Sequence, residues 1–125
     1  TLKTNFMSVH FITLEKAKSL NERFRSKREI ILEAEYKERD VLPFCETFSR
    51  DAIDAILSED GCKAIRFYLG MEEDDKIVLV AVGVNDSDED MLPETEDSTE
   101  DENKIMECGT RCPQACPPPS ALNVS

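Results

Sequence analysis

The order of apolar and polar positions predicts two helices in the first half of the chain. From about Leu14 to Ala34, apolar residues recur at three- and four-residue steps with charged residues between them, as in an amphipathic helix. Thr13 precedes this stretch and is a suitable N-cap, since its hydroxyl can accept from an amide of the first turn. A second helix is predicted within residues 45–61, where Gly61 can take the left-handed conformation that ends a helix.

After Gly61 the apolar residues alternate with polar ones, which predicts strands. The runs "CKAIRFYLG" and "IVLVAVGVN" are joined by a charged turn and indicate an antiparallel hairpin over residues 62–84. The second run is apolar on both faces, so both should be covered, and an isolated two-stranded sheet is only marginally stable. Either residues 7–12 add a third strand or two copies pair their sheets. The predicted fold class is α+β, with two amphipathic helices packed on a small antiparallel sheet.

The regular spacing of apolar residues ends after residue 84. Residues 85–107 carry eleven acids against Lys104, with few apolar residues and no period, and this composition is typical of a disordered, solvated linker. We therefore expect three parts: a globular domain at 8–84, an acidic linker at 85–107, and a Cys/Pro-rich tail at 108–125. A single core of this size gives a thin margin of stability, which favours a homodimer.

The formal net charge of −12 narrows the range of partners. It is concentrated in the second half, because residues 1–50 have a net charge of +2 and residues 51–125 a net charge of −14. This balance argues against nucleic acid or an anionic membrane as partner and favours a basic protein, a basic peptide or a divalent cation. No apolar run is long enough for a transmembrane helix, and the first residues lack the apolar core of a signal peptide. A cytoplasmic location with reduced thiols is the expectation.

The residue patterns of familiar active sites are missing from the sequence. His10 is the single histidine and stands in an apolar, strand-like stretch. No serine stands in a G-x-S-x-G elbow, and the four glycines do not form a phosphate-binding loop. The run "DSDED" from Asp86 to Asp90 lacks the Gly and the Glu that a calcium loop requires downstream. We expect a non-enzymatic protein.

The ending "CGTRCPQACPPPSALN" holds three cysteines in C-x3-C-x3-C spacing: Cys108, Cys112 and Cys116. Thiolates bind zinc or an iron–sulfur cluster, which makes these three the candidate metal ligands. However, the C-x2-C spacing of zinc knuckles is missing, and so is an evident fourth ligand. We therefore expect no cofactor, with zinc or an iron–sulfur cluster as the alternative. A redox pair is a further option, in which Cys112 and Cys116 close a small disulfide.

The prolines of the same ending favour a peptide that docks on a partner. Proline holds the backbone extended and limits the entropy lost on docking, and Leu122 is a natural anchor. The acidic segment then serves as a spacer. Two alternatives stay open: a frayed terminus, and a tail that folds back onto its own body. The predicted partner-binding residues are Arg111, Cys112, Pro113, Cys116, Pro117, Pro118, Pro119 and Leu122.

The block "LPFCETFSRDAIDAILSEDGCKAIRFYLGMEEDDKIVLVAVGVNDSDEDMLP" and the ending "GTRCPQACPPPSALN" resemble a group of small uncharacterised bacterial proteins. The resemblance covers most of residues 11–123, and in the tail it follows the pattern R-C-P-x-x-C-P-P-P-S-x-L-N. It implies a short α+β body, an acidic linker and a Cys-Pro tail, and it implies no activity. Cys108 lies outside that pattern, which weakens a three-cysteine metal site. The functional hypothesis is an interaction module whose tail docks a partner or a neighbouring subunit; the alternative is a metal-binding or thiol-redox protein.

Overall fold

Two helices and two antiparallel sheets make up the part of the chain that the computed structural model describes, residues 10–95, 103–107 and 109–123. The α+β class predicted from the sequence is confirmed. In chain order the elements are α1 (Leu14–Lys27), a 3-10 turn (Ala34–Tyr36), β1 (Cys45–Thr47), α2 (Arg50–Leu57), β2 (Ala64–Met71), β3 (Ile77–Val84), β4 (Asp90–Met91), β5 (Ile105–Met106) and β6 (Thr110–Cys112).

The predicted hairpin is present as β2 and β3. The two strands pair antiparallel over their full length, from Ala64 opposite Val84 to Met71 opposite Ile77. The charged turn between them places Asp75 at a positive φ of 70°, a conformation that Asp tolerates better than most residues. The larger sheet is therefore built around β3, as the apolar run "IVLVAVGV" predicts.

The second edge of β3 is covered by short pieces that are distant in sequence. The N–H groups of Ile77 and Leu79 donate to Val41 O at 2.8 Å and to Glu46 Oε1 at 2.9 Å. Farther along, β5 pairs with residues 81–82 and β4 with residues 83–84. Each piece satisfies part of an edge that would otherwise leave main-chain donors unpaired.

The described parts of the acidic segment are strands at both ends, where its composition predicts a disordered linker. Residues 90–91 form β4 and residues 105–106 form β5, and both pair with β3; residues 96–102 lie outside the described residues. These two strands form because each contributes an apolar side chain to the sheet: Met91 and Met106 are buried there, each 8% exposed. The prediction of disorder is therefore corrected at these two strands.

The core lies between α2 and one face of the sheet. Ile56 of α2 packs with Ala81 and Met106, which lie opposite each other on β3 and β5. The aromatic rings of Phe48 and Phe67 extend this contact, with centroids 6.0 Å apart. On the other face of β3, Val78, Val82 and Val84 are also buried, so β3 is covered on both faces as predicted. The cluster on the α2 side is the core, and the buried valines form a second apolar layer on the opposite face of β3.

Helix α2 begins later than the predicted range. Residues 45–47 form β1, and the helix starts at Arg50 after Ser49, whose hydroxyl accepts from Ala52 N at 3.2 Å. This N-cap contact explains the boundary, since Ser satisfies an amide of the first turn. The helix ends at Leu57, with Ser58 as its C-cap, which is earlier than predicted. Gly61 has the expected left-handed conformation, with a φ of 87°, but it lies beyond the end of the helix.

Helix α1 begins where predicted and ends seven residues early. Thr13 Oγ1 accepts from Lys16 N at 3.1 Å, which confirms the N-cap. The helix stops at Lys27, and the side chain of its C-cap residue, Arg28, turns inward and donates to the carbonyl of Leu42. No residue of α1 is buried, so α2 is the helix that supplies the core. The prediction that α1 also packs on the sheet is wrong in this respect.

The described residues include no counterpart to the predicted N-terminal strand. Residues 10–12 form no strand, and residues 7–9 lie outside the described part. Within that part, no helix is both long and apolar enough to cross a membrane.

Candidate functional site

The beginning of the Cys/Pro-rich tail is a strand of the protein's own body. Strand β6 pairs antiparallel with β1, so that Cys112 lies opposite Cys45 and Thr110 opposite Thr47. Phe44 N extends this pairing by donating to Cys112 O at 2.7 Å. Of the alternatives that the sequence left open, the described tail matches the one in which it folds back onto the chain.

Arg111 fixes β6 by donating to main-chain carbonyls. Its Nη2 donates to Asp40 O at 2.7 Å and to Val41 O at 2.8 Å, and its Nε donates to Ile77 O at 2.9 Å. A longer contact of 3.4 Å joins Nη1 to Pro113 O. The planar fork of a guanidinium suits several acceptors at once, and here it joins the tail, the loop 40–42 and the start of β3.

A second arginine holds the same loop from the other side. Arg28 is 8% exposed, donates to Leu42 O and pairs with Asp40 Oδ1 at 3.1 Å. Its guanidinium also lies over the ring of Phe44, 4.2 Å from the centroid, which adds a cation–π contact. We call Arg28, Arg111 and the loop 40–42 the arginine clasp. Its backbone includes Asp40 at a φ of 55°, a conformation that both arginines help to hold.

Cys112 and Cys116 are joined by a disulfide, with their Cα atoms 4.5 Å apart. This agrees with the redox option and differs from the default of reduced thiols. Cys112 is buried and Cys116 is exposed, so the bond runs from the sheet to the surface. With both sulfurs bonded, neither is the thiolate that a metal requires. Cys108 lies outside the described residues, and within those residues no group of His, Cys, Asp or Glu is arranged to hold a metal ion.

The end of the tail is a turn closed by its own polar side chains. Asn123 Oδ1 accepts from Ser120 N at 2.6 Å, and Asn123 Nδ2 donates to Pro118 O at 3.0 Å. The turn is attached to α1, because Leu122 O accepts from Arg25 Nη1 at 2.8 Å. The described tail is thus attached at its start to β1 and to the arginine clasp, and at its end to α1.

Between these attachments the tail and α1 enclose a groove of about 600 Å³. Its walls are mainly apolar: aromatic rings from the body face prolines, the disulfide and a leucine from the tail. The lining residues are Asn21, Phe24 and Arg25 of α1, Phe44 and Cys45 of the body, and Cys112, Cys116, Pro117, Pro118, Pro119, Ser120, Leu122 and Asn123 of the tail. A volume of this size falls within the range of small-ligand and peptide-anchor sites.

The structure separates the predicted partner-binding residues into two groups. Arg111 and Pro113 belong to the anchored part of the tail, while Cys112 contributes to both the anchor and the groove. Cys116, Pro117, Pro118, Pro119 and Leu122 line the groove. Their predicted role in partner contact is a separate matter from this placement, and it stays a prediction.

The body side of the groove was not predicted. Phe24 lies on α1, the helix predicted to pack on the sheet, and Phe44 lies immediately before β1. Both are partly exposed at the groove, Phe24 by 36% and Phe44 by 43%. The sequence of α1 carried one indication of this surface, since its apolar residues are more numerous than a small sheet can cover.

A polar cluster lies elsewhere, on the valine-rich face of the sheet. Arg66 pairs with Asp90 Oδ1 at 2.6 Å and with Asp88 Oδ1 at 2.5 Å, and the Tyr68 hydroxyl donates to Asp90 Oδ2. The hydrogen bond from Tyr68 is the main cause that lowers the pKa of Asp90, with Arg66 acting in the same direction. The carboxylate of Asp90 in turn raises the pKa of Tyr68 and of Arg66. These groups are solvent-accessible and link β2 to β4.

The groove offers binding surface and few groups for chemistry. Among its lining residues, Arg25 and the free thiol of Cys45 are the ionisable side chains, and no carboxylate or histidine faces them. Paired general acid and base groups, as in hydrolases and isomerases, are therefore not present among these residues. No family model, curated protein or solved structure matches the chain, so a function has to be argued from its own residues.

Proposed function

We propose that the protein is a non-enzymatic interaction module, and that the groove between α1 and the tail receives an apolar segment of a protein partner. The observation that carries the proposal is the groove of about 600 Å³ with aromatic and proline walls. Proline walls are already ordered before binding, which limits the entropy lost when a ligand is held. The tail contributes to binding as one wall of this groove.

Local charge decides which segment fits. Helix α1 carries the basic residues Lys16, Lys18, Arg23, Arg25 and Lys27 against Glu15 and Glu22, and residues 113–123 carry no charge. Charges separated by more than a Debye length of about 8 Å are screened, so the rim matters more than the net charge of −12. We infer that the groove takes an apolar segment with an acidic flank. The basic partner predicted from the net charge stays a prediction for the acidic segment.

A random-peptide library displayed on phage and selected on the folded full-length chain tests this proposal. Selected peptides should combine an aromatic or aliphatic anchor with Asp or Glu, and their affinity should fall at least tenfold in Phe24→Ala. Leu20→Ala is the matched control, because Leu20 is also an exposed apolar residue of α1 but does not line the groove. Basic peptides, peptides that bind Phe24→Ala equally well, or no selected peptide would each refute the proposal.

A homodimer is the second interaction that we propose, and it concerns β2. Within the described residues β2 pairs with β3 alone, and its other edge carries an apolar row. Phe67, Leu69 and Met71 on one face are 44%, 78% and 56% exposed. The edge has neither a proline nor a bulge, features that commonly protect edge strands from pairing.

Main-chain groups of Ile65, Phe67 and Leu69 point toward this edge. Alternate residues of an antiparallel strand direct their N–H and C=O groups to opposite sides. Ile77 and Leu79 of β3 donate away from β2, so the even-numbered residues bond within the hairpin and the odd-numbered residues of β2 face outward. A second β2 can therefore add to this edge with standard antiparallel bonds.

Charge complementarity selects one register for that pairing. When two β2 strands pair antiparallel about Tyr68, Phe67 lies opposite Leu69 of the second copy. The same register brings Lys63 beside Glu73 of the second copy at both ends of the apolar row. Moving the centre to residue 67 removes this pairing of opposite charges. A centre at residue 69 replaces it with Lys63 opposite Asp75 and Arg66 opposite Glu72, but Asp75 and Arg66 already have partners within the chain. We infer a two-fold dimer in which eight-residue strands form one continuous sheet.

Sedimentation equilibrium and cysteine cross-linking test the dimer. Leu69→Lys should raise the dissociation constant at least tenfold, while Leu92→Lys, at a residue that is 53% exposed and outside β2, should not. Lys63→Glu and Glu73→Lys should each weaken the dimer, and the double variant should restore it. With Cys45, Cys62 and Cys108 replaced by Ser, Tyr68→Cys should cross-link and Phe67→Cys should not. A monomer at high concentration, or the reverse cross-linking result, refutes the proposal.

A further inference from the structure

We propose that Cys45, Cys112 and Cys116 form a thiol–disulfide exchange site. The disulfide joins Cys112 to Cys116, and Cys45 is a free cysteine. All three line the groove between α1 and the tail. The proposal is based on the proximity of these three cysteines and does not depend on which ligand the groove binds.

The register of β1 and β6 supplies the geometry. Cys45 and Cys112 are direct partners across the antiparallel pair, so their side chains lie on the same face. Direct partners have Cα atoms about 4.5–5.5 Å apart, and a disulfide needs about 4.4–6.8 Å. Cys112 is therefore within bonding range of Cys45 without a change of register, as well as bonded to Cys116. The sulfur of Cys112 therefore has two possible disulfide partners, Cys45 and Cys116, and can be bonded to only one of them at a time.

The exchange balances without an oxidant or a reductant. Cys45 releases its proton to solvent, and its thiolate attacks Sγ of Cys112. The Cys45–Cys112 bond forms, the Cys112–Cys116 bond breaks, and the electron pair leaves with Sγ of Cys116, which takes a proton from solvent. One disulfide is exchanged for another. The rate should rise with the thiolate fraction and hence with pH.

The two disulfides differ in what they hold. The Cys112–Cys116 bond ties the proline segment back to β6, whereas a Cys45–Cys112 bond ties β6 to β1 and leaves the proline segment without that link. Cys116 is exposed, so the exchange places a free thiol at the surface. The substrate class that this group fits is a disulfide in solution. As a thiolate, Cys116 attacks one sulfur of that disulfide to form a mixed disulfide, the original S–S bond breaks, and the other sulfur leaves as a thiolate that takes a proton from solvent.

Alkylation with N-ethylmaleimide and peptide mapping by mass spectrometry test the site in the full chain, with Cys108 replaced by Ser throughout. The chain with its resident disulfide should become labelled at Cys116 and should acquire a Cys45–Cys112 bond, faster at pH 8.5 than at pH 6.5. The Cys45→Ser variant should lose this labelling of Cys116. Cys62→Ser is the control, since the thiol of Cys62 contacts Ala64 O in the body and not the groove.

A second measurement keeps the test decisive if Cys45→Ser alters the fold. Cys116→Ser, treated with oxidised glutathione, should form a Cys45–Cys112 disulfide while Cys62 stays open to alkylation. Failure to form that bond overturns the proposal. Labelling of Cys45 without labelling of Cys116, or equal labelling of Cys116 in Cys45→Ser, overturns it as well.

Discussion

Replacing Arg111 with Ala should detach the tail from the body and lower the stability of the whole chain. The guanidinium donates three hydrogen bonds of 2.7–2.9 Å to carbonyls of Asp40, Val41 and Ile77. These acceptors belong to the loop 40–42 and to β3, so the side chain connects three segments that do not follow one another in sequence. Its removal takes this donor from all three carbonyls, although Val41 O keeps its hydrogen bond from Ile77 N at 2.8 Å.

The size of the effect follows from the count and kind of these bonds. A hydrogen bond to a charged group contributes about 1.5–3 kcal/mol, and an unpaired buried acceptor adds a similar cost. Three such bonds give about 4.5 kcal/mol at the lower value. Because Arg111 is partly exposed, water replaces some of the lost donors, and we expect a decrease of about 2–4 kcal/mol in the free energy of unfolding. Arg111→Lys should lose about half of that, since an ammonium cannot reproduce the planar fork.

Urea unfolding followed by circular dichroism measures this difference. Arg39→Ala is the matched control: Arg39 also donates to a main-chain carbonyl and pairs with Asp75 at 3.2 Å, but its side chain is 44% exposed. An exposed pair of this kind contributes about 0–1 kcal/mol. Equal destabilisation by Arg111→Ala and Arg39→Ala would refute the argument that Arg111 anchors the tail.

Two further predictions concern the sheet and its connection to β6. The hydrogen bond from Tyr68 lowers the pKa of Asp90, so the stabilisation from Asp90 is present above its ordinary pKa of about 4 and is lost as pH falls through the lower, folded value. Tyr68→Phe should raise the pKa of Asp90 in a carbon-13 NMR titration of its carboxyl carbon and should reduce the loss of stability below pH 4; an unchanged titration contradicts the assigned cause. Gly109→Ala should cost about 1–3 kcal/mol in urea unfolding, because the added methyl would lie 2.7 Å from Glu46 Oε2 and 2.8 Å from the ring of Phe48. Gly70→Ala, with its closest contact at 3.4 Å, should cost less, and the reverse order would contradict the packing described.

Local signals in the sequence predicted the local structure. The N-cap Thr13, the left-handed Gly61 and the alternation of 62–84 each depend on residues that are near neighbours in the chain, and each is found in the fold. The early end of α1 is different, because neither glycine nor proline stands near Lys27 and the apolar residues continue to Leu32. The periodicity of apolar residues therefore does not mark this boundary.

The strands that sequence reasoning missed are two or three residues long and pair with distant partners. β4 and β5 lie in a segment of high negative charge, where average composition predicts disorder. A signal was nevertheless present. Apart from prolines, the apolar residues of 85–107 occur as two adjacent pairs, Met91–Leu92 and Ile105–Met106, and a strand includes residues of each pair. Composition averaged over the segment conceals these pairs, and β3, apolar on both faces, supplies the edge that they complete.

Only the tail side of the candidate groove was predicted from the sequence, because the body side depends on contacts between distant segments. Its tail side was evident from the prolines and Leu122, which are unusual residues in an unusual order. Its body side consists of ordinary aromatic residues whose exposure depends on where the tail lies. The tail lies there because two arginines, which as charged residues are expected to face solvent, donate to the carbonyls of one loop. The position of the tail and the affinity of the groove for a ligand therefore depend on different residues. Arg111→Lys should change the stability of the tail's attachment, whereas Phe24→Ala should change the affinity of the groove for its ligand and leave the attachment intact.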